Sequence, residues 1–510
     1  MALQRTVLRP LGGYEQYSSS RHSLGLYQNV ITVCRYALPS SLGETETETG
    51  KVEAVKENIR HAVTTIVLEK LPALRVGIEG EDTKSPVFVA LPSIDLGLHI
   101  ELVNRSPGLS PKEEDDQLMR DLEKETARPF LDVATHSPWR LVVYLNTAEN
   151  WADVGFAVHH ALADGKSGLI FHTHLVETLN TISSEGNKTR DDTSDVLEFT
   201  EIPVLVPTQE ELVKFTISWP FFLRTVWKEL GPAWLKSTPV AGPYTGSRVT
   251  LEPKLKGNLR IFHLSSETVG ALLAACRAHN TTLTALVHGL LLVLFARRFP
   301  ADVASSFLCA MPMSMRPYIQ APPDMVHDVN RSMANLVSPH MFTYETELVE
   351  DGRAVGETDA DDDDKVWRAA VAVGTSLKAR QANVTDDNPM GLMGYVSDWH
   401  DWWRKHEGKV RDSTWAVSNT GSISPTGSVD AGTAGWRLLR NFYAQSSIGK
   451  DSLIGVNIGG VRGGEVSVVV GWHHGVTEDA FANLFTDDLH ACLLRFGTTG
   501  YFSVPGRLHE

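Results

Sequence analysis

The stretch VGFAVHHALADGKSG, residues 154–168, decides the reading of this chain. An apolar run ends on paired histidines, then comes a turn at Asp164-Gly165, then a helical pattern. A strand end fixes a side chain closely, and histidine is the one side chain whose ordinary pKa lets it take a proton near neutral pH. Strand alternation separates the two rings: Phe156, Val158 and His160 fall on one face, Ala157 and His159 on the other. Only one of the pair can look into a given cavity, and His160 is the candidate. The helix, expected over roughly Ser167–Leu179, begins near Asp164, a favoured cap residue. Its positive N-terminal end disfavours an imidazolium and so keeps a nearby His160 neutral. Gly165 and Gly168 omit side chains where turn and helix approach the strand or a ligand.

Each part alone has a plainer reading. A histidine ending an apolar strand is commonly a satisfied core residue, and Asp164 a helix cap or ion-pair partner. His160 and Asp164, four apart, also suit a metal, but no third ligand sits at a recognisable spacing and His159 points away. No metal is expected. The complete string His-His-x-x-x-Asp-Gly behind a strand is far more specific than its pieces.

That string resembles the signature of the CoA-dependent acyltransferase superfamily: chloramphenicol acetyltransferases, plant BAHD acyltransferases and peptide-synthetase condensation domains. The opening RPLGGYEQYSSSRHSLGLYQNVITVCRY, residues 9–36, resembles fungal alcohol O-acetyltransferases, with a Gly-x-x-Glu-x-Tyr element ahead of an Arg-His segment and the first strand. The BAHD element Asp-Phe-Gly-Trp-Gly does not occur, which moves the chain toward the fungal group. The resemblance spans essentially the whole chain. It implies an α/β fold of the α+β sandwich type: two similar chloramphenicol-acetyltransferase-like lobes with the active-site channel between them. It further implies an O-acyltransferase that esterifies an alcohol or secondary metabolite, with acyl-CoA, acetyl-CoA foremost, as co-substrate and no tightly bound cofactor. His160 becomes the general base, supported by His159 and Gly165. Asp164 faces away and pairs with an arginine. MPMSMRPY places Arg316 just after an apolar strand, in a segment resembling the one that supplies that arginine. Asn335 in MANLVS falls where relatives have a Gly-Asn element; a turn cap is the other reading. Ser418 and Asn419 in TWAVSNTGSI resemble a Ser-Asn-x-Gly strand end whose donors lie near the thioester, where an oxyanion needs them. An ordinary Asn-Thr-Gly turn stands beside that reading. The rival class is a carrier-protein-dependent condensation or release enzyme acting on a phosphopantetheine-bound acyl group. Free acyl-CoA is favoured, since no carrier or adenylation domain is recognisable.

Composition agrees. The chain has 510 residues, 42% hydrophobic and 21% charged, as in ordinary globular proteins. A net charge of −15 argues against nucleic acid and gives no support to a basic membrane patch. Cys34, Cys276, Cys309 and Cys492 lie far apart in apolar contexts and read as buried free thiols. The sequence shows neither a secretory start nor an apolar stretch near the ~20 residues of a spanning helix. The expectation is a cytoplasmic monomer whose partners are an alcohol and acyl-CoA.

Three segments are expected: an N-terminal lobe over 1–195, a connector over 196–257 and a C-terminal lobe over 258–510. VVVGWHHGVTEDAFANLF, residues 468–485, looks like a degraded copy of the first motif, with His473-His474 aligned on His159-His160 and Glu478 on Asp164. Asp479 replaces Gly165 there, so the first copy is the better catalytic site. The aromatic segment 210–235 reads as a core helix, with a helix at a tunnel mouth or on a membrane surface as the alternative. SSEGNKTRDDTSD, residues 183–195, reads as a solvated loop, and ETDADDDDK, residues 357–365, as a disordered acidic loop.

Overall fold

The runs VITVCRYA, WRLVVYLN and WADVGFAV are rich in β-branched and aromatic residues, the composition of strands covered on both faces. They form the strands Val30–Ala37, Trp139–Asn146 and Trp151–Val158, buried almost throughout. The computed structural model describes residues 5–40, 42, 47–184, 194–231, 243–251, 257–427, 435–446 and 452–506. Among these, a five-stranded sheet runs in the order Arg437–Gln445, Val30–Ala37, Trp151–Val158, Trp139–Asn146, Ile100–Asn104. Its neighbours are antiparallel except the last pair. The charges inside it are paired: Arg35 holds Asp153 at 2.8 Å and Glu114 at 2.6 Å.

The helix Gly165–Ser184 packs on this sheet. Phe171 stacks on Phe156 at 3.9 Å between ring centres. At Gly168 the helix comes so close that a Cβ would stand 2.0 Å from Thr32 Oγ1, so no larger residue fits.

A six-stranded sheet forms the second lobe, in the order Gly257–Leu264, Val466–His473, Ile454–Val461, Trp415–Ile423, Phe307–Ser314, Val337–Tyr344. Helices Ser266–Ala278 and Leu283–Arg298 cover it; Ser265 caps the first by accepting the Thr268 N–H. Each sheet has its own apolar core. All four cysteines are buried free thiols. Among the described residues no single helix is long and apolar enough to cross a membrane.

The two lobes are not contiguous in sequence. The strand Arg437–Gln445 leaves the C-terminal part of the chain and pairs with Val30–Ala37, register Tyr443↔Thr32 and Ala444↔Ile31. Trp436, Phe442 and Tyr443 are buried in the first core. This strand finds an open edge and an apolar face on the first sheet, so part of the chain beyond 257 completes that sheet.

Two segments differ from their sequence reading. The acidic run is no loop: it starts the helix Asp359–Ala382, with Thr358 and Asp361 forming a capping box. Acids suit the positive end of a helix, and Asp362 ion-pairs with Arg297 and Lys365. The aromatic segment is no core helix either. Trp219–Leu230 lies on the surface, with Trp219 76% and Trp227 50% exposed. Of the expected loop after Ser183, residues 185–193 lie outside the described residues.

Candidate active site

The strand Trp151–Val158 ends one residue before His159, and the pair sits in the turn leading to Asp164. The two rings enter different surroundings. His159 is fully buried, with Nε2 2.9 Å from Glu81 Oε1, and its Nδ1 accepts the Ala161 N–H at 3.0 Å. His160 keeps partial exposure and lies against aromatic rings from the N-terminal segment: Tyr27 at 5.5 Å and Tyr14, edge-on, at 6.1 Å. Its Nδ1 is enclosed, with no hydrogen-bond partner outside its own residue among the described residues, which leaves Nε2 to meet an incoming group.

Burial, then the nearby Arg21 charge, push the His160 pKa down to about 3. The imidazole is thus neutral at pH 7, kept so by desolvation with a guanidinium beside it. Arg21 is itself buried, its guanidinium 4.5 Å from the Tyr17 ring centre and 4.4 Å from that of Tyr27.

The N-terminal motif explains how these rings are presented. Glu15 accepts the Gly12 N–H at 2.7 Å and ion-pairs with Arg9 at 2.7 Å, fixing the start of helix Gly13–Ser23. That helix carries Tyr14, Tyr17, Arg21 and His22. Tyr17 packs against Trp399 at 5.2 Å and Trp403 at 5.1 Å. One wall of the site is therefore aromatic.

Asp164 faces away from His160. Its Oδ1 accepts the Ser167 N–H and hydroxyl, both at 2.9 Å, and its Oδ2 accepts the Leu336 N–H at 3.1 Å and Arg316 Nη1 at 2.5 Å. Burial alone would raise its pKa, but the Arg316 charge and these hydrogen bonds outweigh it and hold the carboxyl below its ordinary value. Arg316 stands in the turn after strand Phe307–Ser314 and also donates to the Val329 and Ala334 carbonyls. The structure thus brings together the two residues expected to pair, and they clasp the lobes. Because both are buried, Asp164→Asn should lower stability by about 3–5 kcal/mol, leaving a buried guanidinium without its counter-charge. A thermal double-mutant cycle with Arg316→Gln should be strongly non-additive; losses that simply add would refute the clasp.

Asn335 donates from Nδ2 to the His160 carbonyl at 2.6 Å and to Ser18 Oγ at 3.3 Å, so it holds the histidine's backbone. Ser418 and Asn419, adjacent on strand Trp415–Ile423, point oppositely. Ser418 lies beside Tyr443, a phenol whose pKa burial raises and Ser418 lowers, and the Tyr443 ring sits against Gly165; a Cβ there would be 3.1 Å from Tyr443 Cζ. Asn419 instead donates to Thr284 Oγ1 at 3.0 Å and accepts the Gly421 N–H at 2.8 Å. Alternation carries Asn419 toward Thr284 of the covering helix, away from the side that Ser418 faces.

The second histidine pair also ends a strand, Val466–His473, ahead of helix Asp479–Thr499. The His474 side chain is 68% exposed and lies 3.1 Å from Asp479, so it meets Asp479 rather than Glu478. Sequence reasoning missed Glu81, Arg21 and Tyr443. Arg21 and Tyr14 lay inside the quoted N-terminal motif, but neither Glu81 in its turn nor Tyr443 in its strand carried a signal.

The sequence pattern that defines the alcohol acetyltransferases matches residues 114–478. This chain belongs to the alcohol acetyltransferase family. It is similar to the probable alcohol acetyltransferase FCK4 of Fusarium pseudograminearum, 28% identical over 98% of each chain. It is similar also to the probable alcohol acetyltransferase crmB of Aspergillus fumigatus, 24% identical over 92% of this chain and 96% of that one. Among solved structures, the trichothecene 15-O-acetyltransferase TRI3 of Fusarium sporotrichioides shares the fold, with a TM-score of 0.69 at 12% identity and 96% coverage of both chains. The first condensation domain of the CDA synthetase shares it too, with a TM-score of 0.60 at 13% identity and full coverage of both. An alcohol acetyltransferase is an acyltransferase enzyme, and its substrates are an acyl donor and an alcohol.

Proposed function

We propose that this alcohol acetyltransferase moves an acyl group, acetyl foremost, from an acyl-CoA not bound to a carrier directly to a hydroxyl, with His160 as the base. The observation that carries the reading is the state of His160: a neutral imidazole with Nδ1 enclosed and its backbone carbonyl held by Asn335, beside an aromatic wall. Nε2 takes the alcohol proton as the oxygen attacks the thioester carbon. The C–O bond forms, the oxyanion accepts a hydrogen bond from the Ser418 hydroxyl, and collapse breaks the C–S bond. The thiolate then recovers the proton from Nε2. Gly165, pressed against Tyr443, and the Asp164–Arg316 clasp keep the turn in place. No acyl-enzyme is needed, since all four thiols are buried, and burial pushes Cys34, Cys276, Cys309 and Cys492 above their ordinary pKa.

The test is thiol release from short acyl-CoAs across a panel of alcohols, with the ester product identified. Release that depends on both acetyl-CoA and an alcohol supports the reading. Transfer from an acylated carrier protein with none from acyl-CoA would replace it by a carrier-dependent reaction.

A further inference from the structure

Behind His159 lies a cluster that the transfer chemistry does not use. His22, at the end of the helix that supplies Tyr14 and Arg21, and His159 both point at Glu81, in the turn after strand Val76–Glu79. His22 Nδ1 is 3.1 Å from each Glu81 oxygen, and His159 Nε2 is 2.9 Å from one. The three ligand atoms lie within 4.8 Å of one another, close enough to suggest a metal. The opposite ring nitrogens decide against one. His22 Nε2 accepts the Phe130 N–H at 3.1 Å, and His159 Nδ1 accepts the Ala161 N–H at 3.0 Å. Both far nitrogens therefore carry lone pairs, and the nitrogens facing Glu81 carry the protons. A metal would need the reverse arrangement in each ring, setting an N–H against a backbone N–H. The carboxylate is what this pair of neutral histidines is built to meet.

The position of His159 in the chain gives this arrangement its consequence. Its Nδ1 holds the Ala161 N–H, which belongs to the peptide joining His160 to Ala161, and Asn335 holds the carbonyl of the same peptide. We infer that Glu81 is a positioning residue for the transfer reaction: by fixing the tautomer of His159 it locks the His160–Ala161 peptide, and with it the aim of His160. A glutamine at this place cannot replace it. Oε1 stands within reach of both rings and Oε2 of His22 alone. A glutamine carbonyl in the place of Oε1 would set its amide against the His22 Nδ1–H, and an amide in that place would oppose both rings unless they change tautomer. If His159 changes, its new Nδ1–H confronts the Ala161 N–H and the peptide must move. Bonds from the two histidines also hold the Glu81 pKa down, to about 2, against the raising effect of burial, so the carboxylate is ionised at any working pH.

This inference rests on His160 being the base, and the tests separate the two. In thiol-release kinetics, Glu81→Gln should lower kcat by about 10–100-fold, with KM for donor and alcohol unchanged within about twofold. Glu81→Asp, which keeps a carboxylate, should recover part of the loss. Wild-type kcat per folded molecule in Glu81→Gln, with only a lower Tm, would overturn the positioning role. If His160→Ala keeps activity, the catalytic reading fails instead. Nitrogen-15 NMR of histidine-labelled wild-type enzyme keeps the proposal testable should the glutamine variant not fold. His159 should appear as the Nε2–H tautomer; the Nδ1–H tautomer, or a stoichiometric metal in the purified enzyme, would refute it.

Discussion

Replacing His160 with alanine should lower kcat/KM for ester formation by roughly 10²–10⁴-fold while leaving the fold intact. The loss is expected to be large because the other titratable groups of the motif are engaged elsewhere. His159 is turned toward Glu81 and its Nδ1 is occupied, while Asp164 is spent on Arg316, Ser167 and Leu336. The fold should survive because the ring keeps partial exposure and its own side chain bonds no other element among the described residues. Steady-state thiol release with matched circular dichroism measures both. Activity within tenfold of wild type would remove His160 from the chemistry and reopen the assignment of the base.

A second large effect concerns acid. Burial pushes the pKa of His159 to about 4, His160 to about 3, His172 to about 4 and His288 to about 3. Local bonds agree with neutral rings: His172 Nε2 meets the Thr32 carbonyl and its Nδ1 the Tyr36 hydroxyl, while His288 Nδ1 accepts the Trp415 N–H. In the unfolded chain these groups titrate near 6.5, so as pH falls below that value the unfolded state binds protons that the folded state refuses. Stability is full above about pH 6.5 and drops toward pH 4, by on the order of 1.4 kcal/mol per pH unit for each histidine. Four together approach about 5 kcal/mol per unit once the unfolded rings are protonated. Glu81, held near 2, adds to the loss in the same direction below its unfolded value. Tm should therefore fall steeply between pH 6.5 and 5, and the acid limb of activity should follow unfolding rather than titration of His160. A Tm that stays flat over that interval would show that these rings are not buried neutral.

What the sequence displayed, and what it concealed, follows from range. The strand–turn–helix around His160 is local, so alternation and capping revealed it, with the helix start two residues off and its end five residues short. The Asp164–Arg316 clasp joins positions far apart and became visible only through the resemblance of two segments. Glu81 had no such aid: it sits in a polar turn, 78 positions from the histidine it orients, and no periodicity marks a turn residue whose partner is a strand end. At Ser418 and Asn419 the motif gives two adjacent donors, although a strand presents only one of them to each side. The run at 357–365 was misjudged because its charge outweighed the Thr358–Asp361 cap hidden within it. The segment 210–235 read as a core helix ahead of a surface one on its aromatic content, a quantity that does not distinguish a core from a surface.

The strand Arg437–Gln445 has a bearing on how this protein is made. Its partner, Val30–Ala37, emerges early from the ribosome and cannot complete its hydrogen bonding on that side until the chain is almost finished. At about 5–20 residues per second, the ~400 intervening residues take on the order of 20–80 s to synthesise. Through that interval an apolar strand of the first sheet shows a bare edge, the template on which foreign chains assemble. Yield in a recombinant host should then respond to cooling and to chaperone supply, and expressing the halves as separate fragments should give aggregates, since neither half can close the first sheet by itself.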